Sequence, residues 1–210
     1  MAHGRSLKRR ADNEVEFGRI VAFSDGVFSI AITLLVLNLG IDKGLTEGQI
    51  DNALWDQREM FLSYAISFAV IGRFWLVHHR FFAEVQAFDG RLIGLNLVYL
   101  GWIVLIPFSS EVLGEYGGKT TAVVIYSVNL AVVVLLGLLM SVDARRRGLT
   151  KIDDRTHREN QIRATYIAGI FLLSIPVALV APNVAPWLWL VLFVDPSSRL
   201  AGRSLSSAGP

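Results

Sequence analysis

The sequence predicts an all-α membrane protein of six transmembrane helices with both termini on the cytoplasmic side. Three observations carry that reading. Hydrophobic residues make up 53% of the 210-residue chain and charged residues only 18%, with a mean hydropathy of +0.48, too apolar for a soluble domain of this length. Apolar runs recur at lengths near the ~20 residues that a helix needs to cross a bilayer. Lys and Arg gather on alternate connections, as the excess of positive charge on cytoplasmic loops requires.

Taken in order, residues 1–17 form a charged cytoplasmic N-terminal segment. The apolar stretch after it has no clear small-residue cleavage site, so it reads as a retained helix and not as a signal peptide. The basic run of the segment is a cytoplasmic flank, and no nucleic-acid partner is expected. Six spans follow within a helical domain of residues 18–197, near 18–39, 60–79, 92–113, 120–141, 162–181 and 184–197. The last is the weakest, because the "VAPWLWLVLFV" run supplies only eleven residues between Asn183 and Asp195, and it reads as a short or tilted helix after the turn "APNVAP". Residues 198–210 have the composition of a disordered cytoplasmic tail.

With the N-terminus inside, the inner segments hold 16 of the 20 Lys and Arg, and the outer ones hold Lys43, Arg58 and Lys119. Arg73 falls inside a span. Two cytoplasmic termini require an even number of spans. The chain has no cysteine, which excludes a disulfide framework and any thiolate metal or redox site.

The first span, "FGRIVAFSDGVFSIAITLLVLNLG", holds a carboxylate among apolar residues. At about 100° per residue Phe23, Val27, Ile30, Thr33, Leu34, Leu37 and Ile41 share one stripe. Asp25 lies roughly 140° from Ile30 and points elsewhere. Periodicity leaves two readings of the stripe open: a packing or lipid-facing surface, or the wall of a pore. A carboxylate in hydrocarbon needs a partner. The second span offers candidates at similar depth in "SFAVIGRFWLVHHRFF", where Ile71, Trp75, His78 and Phe82 share a face with Arg73 and His79 beside it. His78 and His79 diverge by about 100° and do not converge on one ion, so no metal and no other cofactor is expected. The acidic residues of the first outer loop read as a solvated surface, and Arg145 to Arg147 as an orientation signal.

The arrangement "RIVAFSDGVFSIAITLLVL" resembles the signature at the start of prokaryotic members of the transmembrane protein 175 family of potassium channels. "SFAVIGRFWLVHHRFF" resembles the family's second helix, and "NLVYLGWIVLIPFSSEVL" its third, so that residues 17–113 carry the likeness. The resemblance implies a six-helix subunit assembled as a homotetramer in the prokaryotic inner (plasma) membrane, with a potassium-permeable pore lined by the first helix. Ile30, Leu34 and Leu37 would form a hydrophobic constriction in place of a carbonyl filter, with Thr33 as a polar contact. Arg19, Phe23, Ser24, Asp25, Trp75 and His78 would form a structural or gating network. Ser29 and Asn38 depart from the small and acidic residues usual at those positions. The alternative is a proton-coupled secondary transporter that uses Asp25 and His78 as a relay. No broken helix pair or inverted repeat marks it. An intramembrane enzyme is not expected, for want of a nucleophile and base pair.

Overall fold

The computed structural model describes residues 7–40 and 44–193. A short strand β1 (Lys8–Arg9) leads into α1 (Glu14–Leu34), whose last turn tightens into a 3-10 helix over Leu35–Asn38. An amphipathic helix α2 (Glu47–Asp56) precedes α3 (Arg58–Glu84). Strand β2 (Ala87–Phe88) then leads to α4 (Gly90–Val104), α5 (Ile106–Tyr116), α6 (Thr120–Arg146), α7 (Asp154–Val180) and a terminal 3-10 helix, Ala185–Phe193.

Five helical stretches among the described residues are long and apolar enough to cross a membrane: Glu14–Leu37, Arg58–Glu84, Gly90–Tyr116, Thr120–Arg146 and Asp154–Val180. The third is α4 and α5 in series, interrupted at Leu105. Pro107 stands in the first turn of α5, where its missing N–H is tolerated. The sixth expected span takes the form of the nine-residue 3-10 helix, about 18 Å at ~2.0 Å per residue, and residues 194–197 lie outside the described residues. Pro186 contributes no donor there. The expected tail, 198–210, also lies outside the described residues, as do positions 1–6 and Ile41. Helix α2 is an element that hydropathy missed. Thr46 and Gln49 cap its start reciprocally, and none of its residues is buried.

The main core joins Phe28, Ala31 and Leu35 of the first helical stretch to Ile71 of α3, Tyr99 and Ile103 of α4, Tyr126 and Leu130 of α6, and Phe171 of α7. Small polar side chains stitch the helices together at depth. Ser63 Oγ donates to the Ser110 carbonyl at 2.7 Å, Asn129 Nδ2 donates to Ser109 Oγ at 2.9 Å, and hydroxyls pair between Ser67 and Tyr126 and between Ser127 and Ser174. Where water is scarce such groups must find partners on neighbouring helices, and serine lets the backbones approach.

At the end of the bundle where α1 begins, three connections fasten together. β1 pairs antiparallel with β2, Val85 bridges Thr150, and Arg10 donates to the carbonyls of Ala83 and Val85 while stacking on Phe17. Beneath them Arg147 links the buried Asp89 to Asp143, which also accepts from Arg91 at 2.7 Å. Asp89 caps α4 by accepting from the Leu92 N–H. The guanidinium of Arg147 holds the Asp89 carboxyl below the ordinary carboxylate range.

Candidate pore-lining helix and its polar anchor

α1 has two unlike faces. Phe17, Ser24, Phe28, Ala31 and, one turn on, Leu35 point into the subunit and are buried. The opposite face carries Arg19, Ala22, Phe23, Gly26, Ser29, Ile30, Thr33 and Leu37, all exposed. Ile30 is 57% and Leu37 72% exposed, while Val27 and Leu34 are half-buried on the flank. Four of the stripe residues read from periodicity, Phe23, Ile30, Thr33 and Leu37, therefore stand free of the subunit's own packing. The face is not simply greasy. A Cβ added at Gly26 would meet nothing within 4 Å. Thr33 donates its hydroxyl proton to the Ile30 carbonyl at 2.9 Å, which leaves the oxygen's lone pairs on the exposed side.

The 3-10 turn changes the register of this face. In an α-helix Leu37 would lie about 60° around from Leu34, whereas three residues of 3-10 helix complete a full turn and bring the two toward one line.

Behind α1, a chain of hydrogen bonds runs across three helices. Ser24 Oγ donates to the Ile20 carbonyl at 2.9 Å, so its oxygen is left as an acceptor. Asn96 Nδ2 of α4 donates to that oxygen at 3.0 Å. The Asn96 carbonyl oxygen then faces His78 Nε2 at 2.8 Å, and His78 must be the donor. The imidazole is 3% exposed and lies parallel to Tyr99, with ring centroids 5.6 Å apart, while Phe82 and the edge-on Phe28 complete an aromatic cage. A second branch is separate. Trp75 Nε1 donates to Asp25 Oδ1 at 2.9 Å, and the half-buried carboxylate is tied to α3.

Of the residues expected in one network, Ser24, Asp25, Trp75 and His78 gather where α1, α3 and α4 meet, but in two branches. No hydrogen bond joins Asp25 to His78. Phe23 faces outward at 55% exposure, and Arg19 is exposed and takes no part in either branch. Asn96 is the residue the sequence reading did not single out. Its signal was an amide in the otherwise apolar run "LIGLNLVYLGW", where a buried polar side chain demands partners. His79 lies outside the cage and packs on Trp75 at 5.6 Å, apart from His78 as helix geometry requires. Among the described residues no three His, Asp or Glu side chains are grouped to hold a metal ion.

Residues 19–107, from α1 to the start of α5, match the family described as endosomal/lysosomal potassium channel TMEM175. The chain is 43% identical over 101 residues to a protein of Streptomyces collinus named potassium channel, a match that spans 48% of this chain and 49% of that relative. It is 31% identical over 171 residues to a potassium channel of a Chryseobacterium species, covering 80% of this chain and 85% of the other. The fold superposes on the crystal structure of a lysosomal potassium-selective channel TMEM175 homolog from Chamaesiphon minutus with a TM-score of 0.72 at 25% identity, covering 88% of this chain and 98% of that one.

Proposed function

From the premise that the chain belongs to the TMEM175 family, we propose that it is a potassium-permeable cation channel of a prokaryotic inner membrane, a homotetramer in which α1 of each subunit lines the pore. The observation that supports this most is the outward face of α1. A helix side turned to lipid gains from being uniformly apolar, yet this one sets Gly26, Ser29 and Thr33 in line with Ile30 and Leu37. Four such faces around an axis give apolar rings at Ile30, Leu34 and Leu37 with a hydroxyl oxygen at Thr33 between them.

The rings span about 12 Å, four residues of α-helix at ~1.5 Å and three of 3-10 helix at ~2.0 Å. They offer no ligand to a bare ion. An ion therefore crosses with part of its hydration shell, and potassium, which sheds water more readily than sodium, is favoured to a lesser degree than in channels with a carbonyl filter. Ser24, Asp25, Trp75, His78 and Asn96 hold the helix from behind, as a structural or gating anchor and not as ion ligands. Both termini lie in the cytoplasm, residues 18–197 form the channel domain, and the Ala185–Phe193 segment belongs to the sixth crossing that this topology needs.

The transporter reading requires proton exchange between Asp25 and His78. It is disfavoured because Asp25 accepts from Trp75 while the Nε2 proton of His78 is committed to Asn96. The channel reading is tested with purified protein in planar bilayers under bi-ionic potassium and sodium. Discrete current steps with a reversal potential shifted toward potassium are expected. Saturable flux without steps would mean a carrier.

A further inference from the structure

α7 begins in a connection crowded with cations, and those cations are not equivalent. Arg147 is committed to Asp89 and Asp143, Arg145 to Asp154 and the Ile152 carbonyl, and Arg155 to Glu159 at 3.1 Å. Arg146, Lys151 and Arg158 are exposed and pair with no carboxylate among the described residues. Arg158 heads a shallow, open groove of about 400 Å³ that runs along one face of α7 beside Gln161, Ile162, Thr165 and Tyr166. These are positions i, i+3, i+4, i+7 and i+8, one face of α7. The residues that α7 buries, Ala168, Phe171, Ser174 and Ala178, centre roughly 140° away, so the groove is not part of the subunit core.

The chemistry of the groove is graded along the helix axis. From Ala164 to Val180 α7 carries no charged side chain, a run of 17 residues or about 25 Å. Arg163 therefore marks the level at which hydrocarbon begins. Tyr166 lies just inside that level, where amphipathic rings collect, and Arg158 lies about 7 Å outside it, at the depth of lipid phosphates. The guanidinium of Arg158 lies outermost, Gln161 and Ile162 follow just outside the level of Arg163, and Thr165 and Tyr166 lie just inside it, so charge, amide and hydroxyl descend in the order of a phospholipid's phosphate, glycerol and ester oxygens.

We propose that this groove binds an anionic phospholipid. Its phosphate sits on Arg158, its glycerol and ester oxygens reach Gln161 and Thr165 beside Ile162, and an acyl chain runs inward past Tyr166. Arg146 and Lys151 add attraction without contact. The site requires only that α7 spans the bilayer, so it stands or falls apart from the channel reading.

The test uses the full-length protein in nanodiscs of phosphatidylcholine with added phosphatidylglycerol, followed by native mass spectrometry of the lipids retained after mild release. The wild-type protein should retain phosphatidylglycerol over phosphatidylcholine. Arg158→Gln should weaken that retention about five- to tenfold, as loss of one charge-assisted contact does. Arg158→Lys should keep most of it, and Arg80→Gln, an exposed cation on α3, should leave it unchanged. Equal loss with Arg80→Gln would mean general surface charge and would overturn the site. So would a wild-type protein that does not discriminate between the two lipids, or competition by inorganic phosphate in the buffer, which would mean a site for free anions.

Discussion

Replacing Asn96 by Leu removes the middle of the Ser24–Asn96–His78 chain while keeping side-chain volume. Two buried hydrogen bonds of 3.0 and 2.8 Å disappear. Each has a net worth of about 1 kcal/mol, and the His78 donor left without an acceptor costs a further 1–3 kcal/mol. Ser24 suffers less, because its proton stays on the Ile20 carbonyl. The sum is about 3–5 kcal/mol, which for a chain of this size lowers the midpoint of thermal unfolding by about 6–20 °C. His78→Leu alone leaves the Asn96 carbonyl unpaired and removes an aromatic stack, at a similar cost. With both replaced no orphan remains, since removing both partners together avoids the desolvation penalty. The double variant should therefore be more stable than the sum of the singles by about 3 kcal/mol or more, from two orphan penalties and the shared bond that both singles lose. Thermal unfolding of purified protein followed by size-exclusion elution measures all four corners of the cycle. Additive effects would refute the reasoning, because they would mean that the two side chains act independently despite their 2.8 Å contact.

Three further outcomes are expected. Ile30→Asn and Leu34→Asn should wet the constriction, raising conductance and lowering potassium preference in bi-ionic recordings, whereas Val36→Asn, exposed but turned off the stripe, should do neither; equal effects at Leu34 and Val36 would place the ion path elsewhere. For topology, cysteine at Tyr116 should label from outside and cysteine at Lys151 only after permeabilisation, and the reverse pattern would invert the orientation. Asp89→Asn should cost about 2–3 kcal/mol at neutral pH, less than a fully isolated buried pair because Arg147 keeps Asp143. The folded-state pKa of Asp89 is depressed, so its contribution is present above the ordinary aspartate range and lost as pH falls through the lower folded value. Unfolding midpoints measured across acid pH should therefore fall less steeply in the variant than in the wild type.

Composition and period determined what a bilayer selects for. Five of the expected spans coincide with long helices, since apolar content is a local sum that needs no knowledge of neighbours. The separation of Asp25 from the Ile30 stripe, and the convergence of Ser24, Asp25, Trp75 and His78 at one depth, also followed from helix geometry and charge order. What only the tertiary structure decided is how each helix is rotated about its axis and what stands opposite. It set Asn96 between Ser24 and His78, partners 72 and 18 residues away, and thereby divided one expected network into two. It turned Leu35 into the core at 1% exposure, next to a Leu34 left on the flank of the outward face. It ended the first span in a 3-10 turn, shaped Ala185–Phe193 likewise, and folded β1 back onto β2. Hydrophobicity is indifferent to rotation, because lipid accepts any apolar face. Polar groups are not, and their scarce partners inside the bundle are what set the angles.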